Sequence, residues 1–327
     1  MLAWLMDGPG GIDRLRLADA PDPSPAAGEI LLNLQFAALN PADRYLAEGQ
    51  YPARPPLPHV LGRDGTGTVM TIGPGVHGLS PGDRVLLLRG EAGVTRWGTF
   101  AQRVAVPVDS LAAIPQGWTP QQAAAAPLVY LTAHQALTQW GDLPPSVVLV
   151  TGASGGVGVA SIQLAKSLGH TVVALSRSSE KGEQLRTLGA DHVFNPESPD
   201  WSTAARQALK PRRVDLAIDN IGGPLLPQVI DTLGEHGKVS LVGRLAGPVP
   251  EFNTATLFFR RLRLGGVAVG AYTPAEARAT WQHILSLLSR TGARPLIDSV
   301  FPFDQVPQAF HRLAAGPMGK VLVQVKS

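Results

Sequence analysis

Eight residues constrain this chain more than any others: Thr151-Gly152-Ala153-Ser154-Gly155-Gly156-Val157-Gly158, which join an apolar run, Val147 to Val150, to a stretch of helical periodicity beginning near Gly158. Glycines at 152, 155 and 158 answer three physical demands at once: a tight reversal, a backbone bare enough for a pyrophosphate to approach, and close contact between helix and sheet. Unpaired N–H groups and the positive dipole end at the helix start then face the anion together. A glycine triplet also marks ordinary strand-to-helix turns. Here the context supports dinucleotide binding, because a second apolar run, Thr171 to Leu175, completes a unit of the expected length. Gly152, Ala153, Ser154, Gly155, Gly156, Val157 and Gly158 are therefore candidate cofactor-binding residues.

The same strand and helix alternation surrounds the turn. Helical stretches Gly158 to Leu168, Glu180 to Leu188 and Leu225 to Leu233 separate apolar runs at Val147 to Val150, Thr171 to Leu175, Val214 to Ile218, Lys238 to Val242 and Leu262 to Val269. That pattern specifies an α/β fold with a doubly wound parallel sheet. Residues before Pro120 read differently, as short strands (Glu29 to Phe36, Thr66 to Ile72, Asp83 to Leu88, Thr99 to Val106) between Pro- and Gly-rich turns. A last helix, Pro274 to Ser289, precedes two orphan strands near Pro295 to Phe301 and Val321 to Val325. The expected division is residues 1–122 as a β-rich domain, 123–269 as the cofactor-binding domain, and 270–327 returning to complete the first.

The choice of dinucleotide is made after the second strand. An NAD site places a carboxylate about 20 residues beyond the glycine turn to bind the ribose 2′-hydroxyl. Counting 19 positions on from Gly158 gives Arg177, with Ser176 before it and Lys181 after, and no carboxylate occurs before Glu180. A guanidinium binds a 2′-phosphate bidentately, whereas a carboxylate repels it. NADPH is the expected cofactor. Asn220 and Gly243 follow later strand ends, where an open α/β sheet places its ligand crevice.

Composition removes other classes. With 28 Lys+Arg against 25 Asp+Glu, the net charge is +3 and no basic run gathers it, which argues against a nucleic-acid partner. The absence of Cys excludes a disulfide, a thiolate nucleophile, an iron–sulfur cluster and a Cys-ligated zinc. Leu2 to Met6 has no basic residue ahead of it, unlike a secretory signal, and the uncharged stretch Leu143 to Ala165 is broken by glycines and prolines. A cytoplasmic protein without membrane contact is expected.

Ordered matches along nearly the entire chain resemble the medium-chain dehydrogenase/reductase superfamily, and most its zinc-free quinone oxidoreductase branch. They include Asn40-Pro41-Ala42-Asp43 with Tyr45, Gly49-Gln50-Tyr51-Pro52, Gly62-Arg63-Asp64-Gly65, Pro81-Gly82-Asp83-Arg84-Val85, Leu131-Thr132-Ala133, the Gly152 turn, Leu188-Gly189-Ala190-Asp191, and Gly319-Lys320-Val321. The resemblance implies a GroES-like, β-barrel-type catalytic domain beside a Rossmann domain, an active site in the cleft between them, and a homodimer paired through the Arg263 to Val269 strand. Zinc-dependent relatives place a Cys where this chain has Asn40 and a His-Glu pair where it has Arg63-Asp64. A guanidinium carries no acceptor and cannot coordinate a cation. Asp43 and Arg63 are expected to pair and fill the emptied metal site.

Without a Lewis acid, hydride addition to a quinone or an α,β-unsaturated carbonyl is the favoured chemistry, since hydrogen-bond donors suffice for the developing enolate oxygen. The resemblance implies Asn40, Tyr45 and Tyr51, in the loop after Phe36, as catalytic candidates, and Thr132 near the nicotinamide. Gly49-Gln50-Tyr51-Pro52 is also similar to the segment of enoyl thioester reductases that carries their catalytic tyrosine, so Tyr51 is the preferred proton donor. A 2-enoyl thioester reductase and a noncatalytic NADPH-binding, crystallin-like protein stand as the alternatives.

Overall fold

The computed structural model describes residues 1–88, 91–247 and 250–325. The chain divides into two units, one of Met1–Leu128, Tyr272–Trp281 and Arg294–Ser327, the other of Val129–Ala271 and Gln282–Ala293. Strands β1 (Leu2–Met6), β2 (Arg16–Asp19), β3 (Glu29–Ala38), β4 (His59–Val60), β5 (Asp64–Ile72), β6 (Arg84–Leu87), β7 (Arg103–Pro107) and β8 (Leu111–Ala113) come first, with helices α1 (Pro41–Ala47) and α2 (Pro120–Ala125). After α3 (Pro127–Thr138) the order is β9 (Val147–Val150), α4 (Gly156–Ser167), β10 (Thr171–Leu175), α5 (Ser179–Thr187), β11 (His192–Phe194), α6 (Trp201–Ala208) and β12 (Val214–Asp219). Next come α7 (Leu225–Thr232), β13 (Leu233–Leu241), α8 (Ala255–Phe259), β14 (Arg263–Gly266), α9 (Pro274–Thr291), β15 (Ile297–Pro302), α10 (Val306–Ala314) and β16 (Lys320–Gln324).

In the β-rich unit, the seven-stranded sheet runs β15-β16-β3-β5-β6-β8, with β7 also paired to β3, and β2-β1-β4 form a smaller sheet. β3 is central because it buries side chains in two clusters: Ile30, Leu32 and Leu34 join the core with Val69, Val85, Val104, Val321 and Val323, and Phe36 and Ala38 pack with Ala124 and Ala125 of α2 and Leu322 of β16. The orphan C-terminal strands thus find their partner, β16 pairing antiparallel with β3 at Leu322↔Ala38. α10 closes this core, its Phe310 meeting Phe100 edge-on with centroids 5.7 Å apart.

The second unit is a six-stranded sheet in the order β11-β10-β9-β12-β13-β14, with every pairing parallel. Val147, Val148, Leu149 and Val150 are all fully buried, as continuous apolar runs must be when helices cover both sheet faces. β9 lies between β10 and β12, so strand order reverses there, and an open sheet of this kind places its ligand at the carboxyl ends of those strands.

Several element boundaries shift, among them that of β13, which starts at Leu233 and not at Lys238. α4 begins at Gly156, two residues before the expected start. β7 begins at Arg103, because Gly98 and Phe100 give their N–H groups to Val60 and Leu61 instead of to the sheet beside β3. β14 ends at Gly266, short of Val269. α9 is not the last helix, since α10 follows it between β15 and β16, and it does not belong whole to the β-rich unit: Arg278 binds Asp109 and Trp281 packs on Trp118 there, while His283 stacks edge-on against His134 in the other unit. Among the described residues no helix is long and apolar enough to cross a membrane.

Candidate functional site

In the α/β unit the ends of β9 and β12 are stitched together. Thr151 Oγ1 donates to Asp219 Oδ1 at 2.7 Å, Asn220 N donates to Thr151 Oγ1 at 2.9 Å, and Asn220 Nδ2 donates to Thr151 O at 2.7 Å. Asp219 also accepts the N–H groups of Ile221 and Gly222 at 3.2 and 3.1 Å, which spends its carboxylate inside the fold. Asn220 Oδ1 is different, a buried acceptor with no hydrogen-bond partner among the described residues. Such an atom is costly unless a ligand or water supplies a donor.

Each glycine of the turn has its own reason. Gly152 adopts φ +56°, a left-handed conformation that L side chains rarely tolerate. A Cβ on Gly158 would stand 2.4 Å from Gly152 O and 2.6 Å from the backbone of Ala153, so this position fixes how closely α4 approaches the turn. Gly155, at the N-cap, has only Gly152 O within reach of an added Cβ, at 3.4 Å. A side chain there would fit the fold but cover the helix start. Leaving it out keeps the first N–H groups of α4 open to an anion, so the cradle and the orphaned Asn220 acceptor together fit a dinucleotide. A Cβ on Gly243 would lie 2.5 Å from Asn220 O, which explains the glycine by backbone packing. Thr132 sits half-buried on α3.

At the end of β10, Ser176 Oγ donates to Ser178 O at 2.9 Å, and Ser178 Oγ caps α5 by accepting Lys181 N at 3.3 Å. Arg177 is 72% exposed and 3.7 Å from Glu197, an acid that sequence reasoning did not connect with it. β11 brings them together: Ser176 N donates to Phe194 O, and Glu197 follows three residues later.

The β-rich unit assembles the other candidates. Asn40 is not in a loop but at the start of α1, where Pro at the first helical position and Asp43 at the third favour helix. Asn40 N donates to Asp43 Oδ2 at 3.0 Å. Its side chain is spent inside the protein: Nδ2 donates to Asp64 Oδ2 at 2.9 Å, and Oδ1 accepts Lys320 Nζ at 2.6 Å. Lys320, only 4% exposed, also donates to Leu39 O at 2.9 Å and Asp64 Oδ2 at 3.4 Å. Asp64 Oδ1 accepts Leu128 N at 3.1 Å.

Arg63 gives the cluster its other cation. Its Nε donates to Asp43 Oδ1 at 3.2 Å, Nη2 to Ala42 O at 3.3 Å, and Nη1 to the Tyr51 hydroxyl at 3.0 Å. The expected Asp43–Arg63 pairing is thus present. Burial pushes the Asp43 carboxyl up against the pull of Arg63, and it lowers Lys320 against the pull of Asp64 and Asp43. For Arg63, burial is outweighed by Asp43 and Tyr51, which hold it above its ordinary value. Two buried carboxylates thus face two cations. Tyr45 lies on α1 under the Arg44 guanidinium, 5.4 Å from the ring centroid.

Zinc-binding relatives of such a fold raise the question of a metal here. Asn40 and Asp64 are engaged by Lys320, and Arg63 offers only donors, so these residues do not fit a zinc ion. Among the described residues no three His, Asp or Glu side chains are grouped to hold one.

A parallel α/β unit with a glycine turn at a helix start, in one chain with a β-rich unit completed by the chain's end, defines a two-domain dehydrogenase/reductase. Two family models match accordingly: the alcohol dehydrogenase GroES-like domain over residues 26–116 and the zinc-binding dehydrogenase domain over residues 156–290. The chain is 31% identical to the human synaptic vesicle membrane protein VAT-1 homolog, covering 98% of this chain and 85% of that protein. It is 27% identical to the quinone oxidoreductase of Sus scrofa, covering 96% and 94%. Among solved structures, an NAD-dependent alcohol dehydrogenase superposes with a TM-score of 0.90 at 31% identity, covering all of both chains. A mycobacterial protein solved with NADPH does so at 0.89 and 27%, covering 99% of this chain and 100% of that one. The chain belongs to the medium-chain dehydrogenase/reductase superfamily, in the branch that includes the quinone oxidoreductases, and is an oxidoreductase of that kind.

Proposed function

We propose that this protein is an NADPH-dependent, metal-independent reductase of quinones or α,β-unsaturated carbonyls. The observation that carries this reading is the buried Arg63–Asp43 and Lys320–Asp64 cluster, which commits to internal ion pairs the side chains that a zinc site would need. Simple alcohol oxidation without a Lewis acid leaves an alkoxide poorly stabilised, whereas reduction of an activated acceptor needs only positioned donors. The quinone oxidoreductase of Sus scrofa and the NADPH-bound mycobacterial structure support the same direction.

In this reading Gly152 to Gly158 receive the pyrophosphate at the α4 N-terminus, and Asn220 Oδ1 accepts a hydroxyl of the cofactor. Arg177, Ser176 and Lys181 receive the 2′-phosphate, with Arg177 turning from Glu197 to do so. Thr132 and Gly243 complete the cofactor's surroundings. A bound nicotinamide supplies the hydride. Tyr51 supplies the proton, Tyr45 lines the substrate side, and Asn40 serves by position, its amide being spent on Asp64 and Lys320. A homodimer fits the outer edge of β14, which ends its sheet, and the neighbouring Phe258 and Phe259, 65% and 78% exposed.

Steady-state assays of NADPH and NADH with para-benzoquinone, cyclohexenone and crotonyl-CoA test the reading. Quinone or enone turnover is expected to exceed crotonyl-CoA turnover, with NADPH preferred. Arg177→Asp is expected to raise the Michaelis constant for NADPH at least about tenfold more than that for NADH, the loss of one charge-assisted phosphate contact. Unchanged cofactor preference contradicts the 2′-phosphate assignment, and faster crotonyl-CoA reduction favours the enoyl thioester alternative.

A further inference from the structure

The contact between Arg63 and Tyr51 has a fixed sense. A guanidinium has five N–H donors and no acceptor, so across the 3.0 Å separation the phenol oxygen must accept. A carboxylate in the same place would have drawn the phenol proton into the protein. Arg63 instead occupies a lone pair and leaves that proton directed elsewhere. The guanidinium carbon also lies 4.4 Å from the Tyr51 ring centroid, so ring and hydroxyl are held together.

Arg63 is itself held by Asp43 and Ala42 O. Asp43 is completely buried and accepts the backbone N–H of Asn40, whose side chain Lys320 grips from β16. The guanidinium is thus anchored through α1 to the central sheet, and its charge faces the oxygen that becomes negative when Tyr51 gives up its proton.

We propose that Arg63 is a positioning residue, which aims the Tyr51 hydroxyl outward for proton donation and stabilises the phenolate left behind. The inference rests on the reading of Tyr51 as proton donor. In the step, the phenol O–H bond breaks and a new O–H or C–H bond forms on the acceptor, which has received its hydride from the reduced nicotinamide. The electron pair of the broken bond stays on the phenolate oxygen beside Arg63, and solvent water later returns a proton.

Three variants test this: Tyr51→Phe; Arg63→Met with Asp43→Asn, which removes the guanidinium without stranding a buried carboxylate; and the combination of all three changes. kcat and KM are measured with para-benzoquinone and cyclohexenone, together with NADPH affinity and thermal unfolding. Tyr51→Phe and the Arg63/Asp43 variant are each expected to lower kcat about 100-fold, a typical share for a general acid, with acceptor KM and NADPH affinity within about threefold. The combination is expected to lie within about threefold of either, because groups acting through one atom do not multiply. Multiplying losses, or a wild-type kcat in the Arg63/Asp43 variant beside a slow Tyr51→Phe, overturn the role of Arg63 and leave the donor reading standing. Full turnover in Tyr51→Phe overturns the donor reading and this inference with it. Should the Arg63/Asp43 variant not fold, Arg63→Lys keeps a partner for Asp43 but loses the fork. A kcat loss of about tenfold or more at constant KM supports the inference, and wild-type kcat overturns it.

Discussion

At the start of α4 the molecule makes room by leaving side chains out, whereas around Lys320 it fills a buried space with two cations and two carboxylates. The glycine turn presents backbone N–H groups and stays open at Gly155. The cluster's charges answer one another, and at its margin the Tyr51 hydroxyl oxygen accepts from Arg63. One region therefore has no room for an added atom at Gly158, and the other no spare charge to lose. That contrast is open to direct attack by substitution.

The largest effect is expected at Lys320. Lys320→Met leaves Asp64 buried without its cation, and breaking such a pair costs about 3–5 kcal/mol. Chemical denaturation should show that loss, and a midpoint indistinguishable from wild type would mean that the cluster is not the tightly coupled unit described. Gly158→Ala comes next. Alanine suits a helix, but here its Cβ meets backbone at 2.4 Å, so overpacking is expected to cost about 1–3 kcal/mol and to weaken NADPH binding measured by calorimetry. Unchanged stability together with unchanged affinity would show that α4 can move aside freely.

Asp191 sharpens the comparison from the solvent-exposed side. It ties α4 to β10 by accepting Lys166 Nζ at 2.9 Å and Val172 N at 2.7 Å. Burial opposes its ionisation, but Val172 N and Lys166 outweigh it and hold the carboxyl below its ordinary value of 3.8. A depressed folded value means stability present above pH 3.8 and lost as the pH falls through the lower folded value. Asp191→Asn should therefore be less stable than wild type at neutral pH, by under about 1 kcal/mol for so exposed a pair, and the two should converge in acid. A difference that persists at low pH would assign the effect to packing.

The two regions also differ in how much of them is legible in the sequence. The turn is a local device: eight consecutive residues between two apolar runs carry its constraints, and Gly152 and Gly158 do there what such glycines must. The parallel sheet follows for the same reason, because β9 and β10 are continuous apolar runs with no competing reading. The cluster is assembled from positions 40, 43, 63, 64 and 320, and the Lys320–Asp64 contact spans 256 residues. Gly319-Lys320-Val321 is visible as a motif, but nothing local says that its ammonium is buried against Asn40. Pro41 with Asp43 is the available signal for α1, and placing Asn40, Tyr45 and Tyr51 together in a loop after Phe36 hides it. The N-terminal apolar run shows the same limit. Judged only as a targeting segment it says nothing, yet β1 pairs with β2 and with β4, partners that emerge only in three dimensions.

Turnover after metal removal tests the central claim most directly. The protein is dialysed against a chelator and its oxidation of NADPH by para-benzoquinone is followed at the nicotinamide absorbance band. Because Arg63 and Lys320 answer the buried carboxylates, the rate should be unchanged by chelation and indifferent to added zinc. Activity that is lost on chelation and restored by zinc would contradict it.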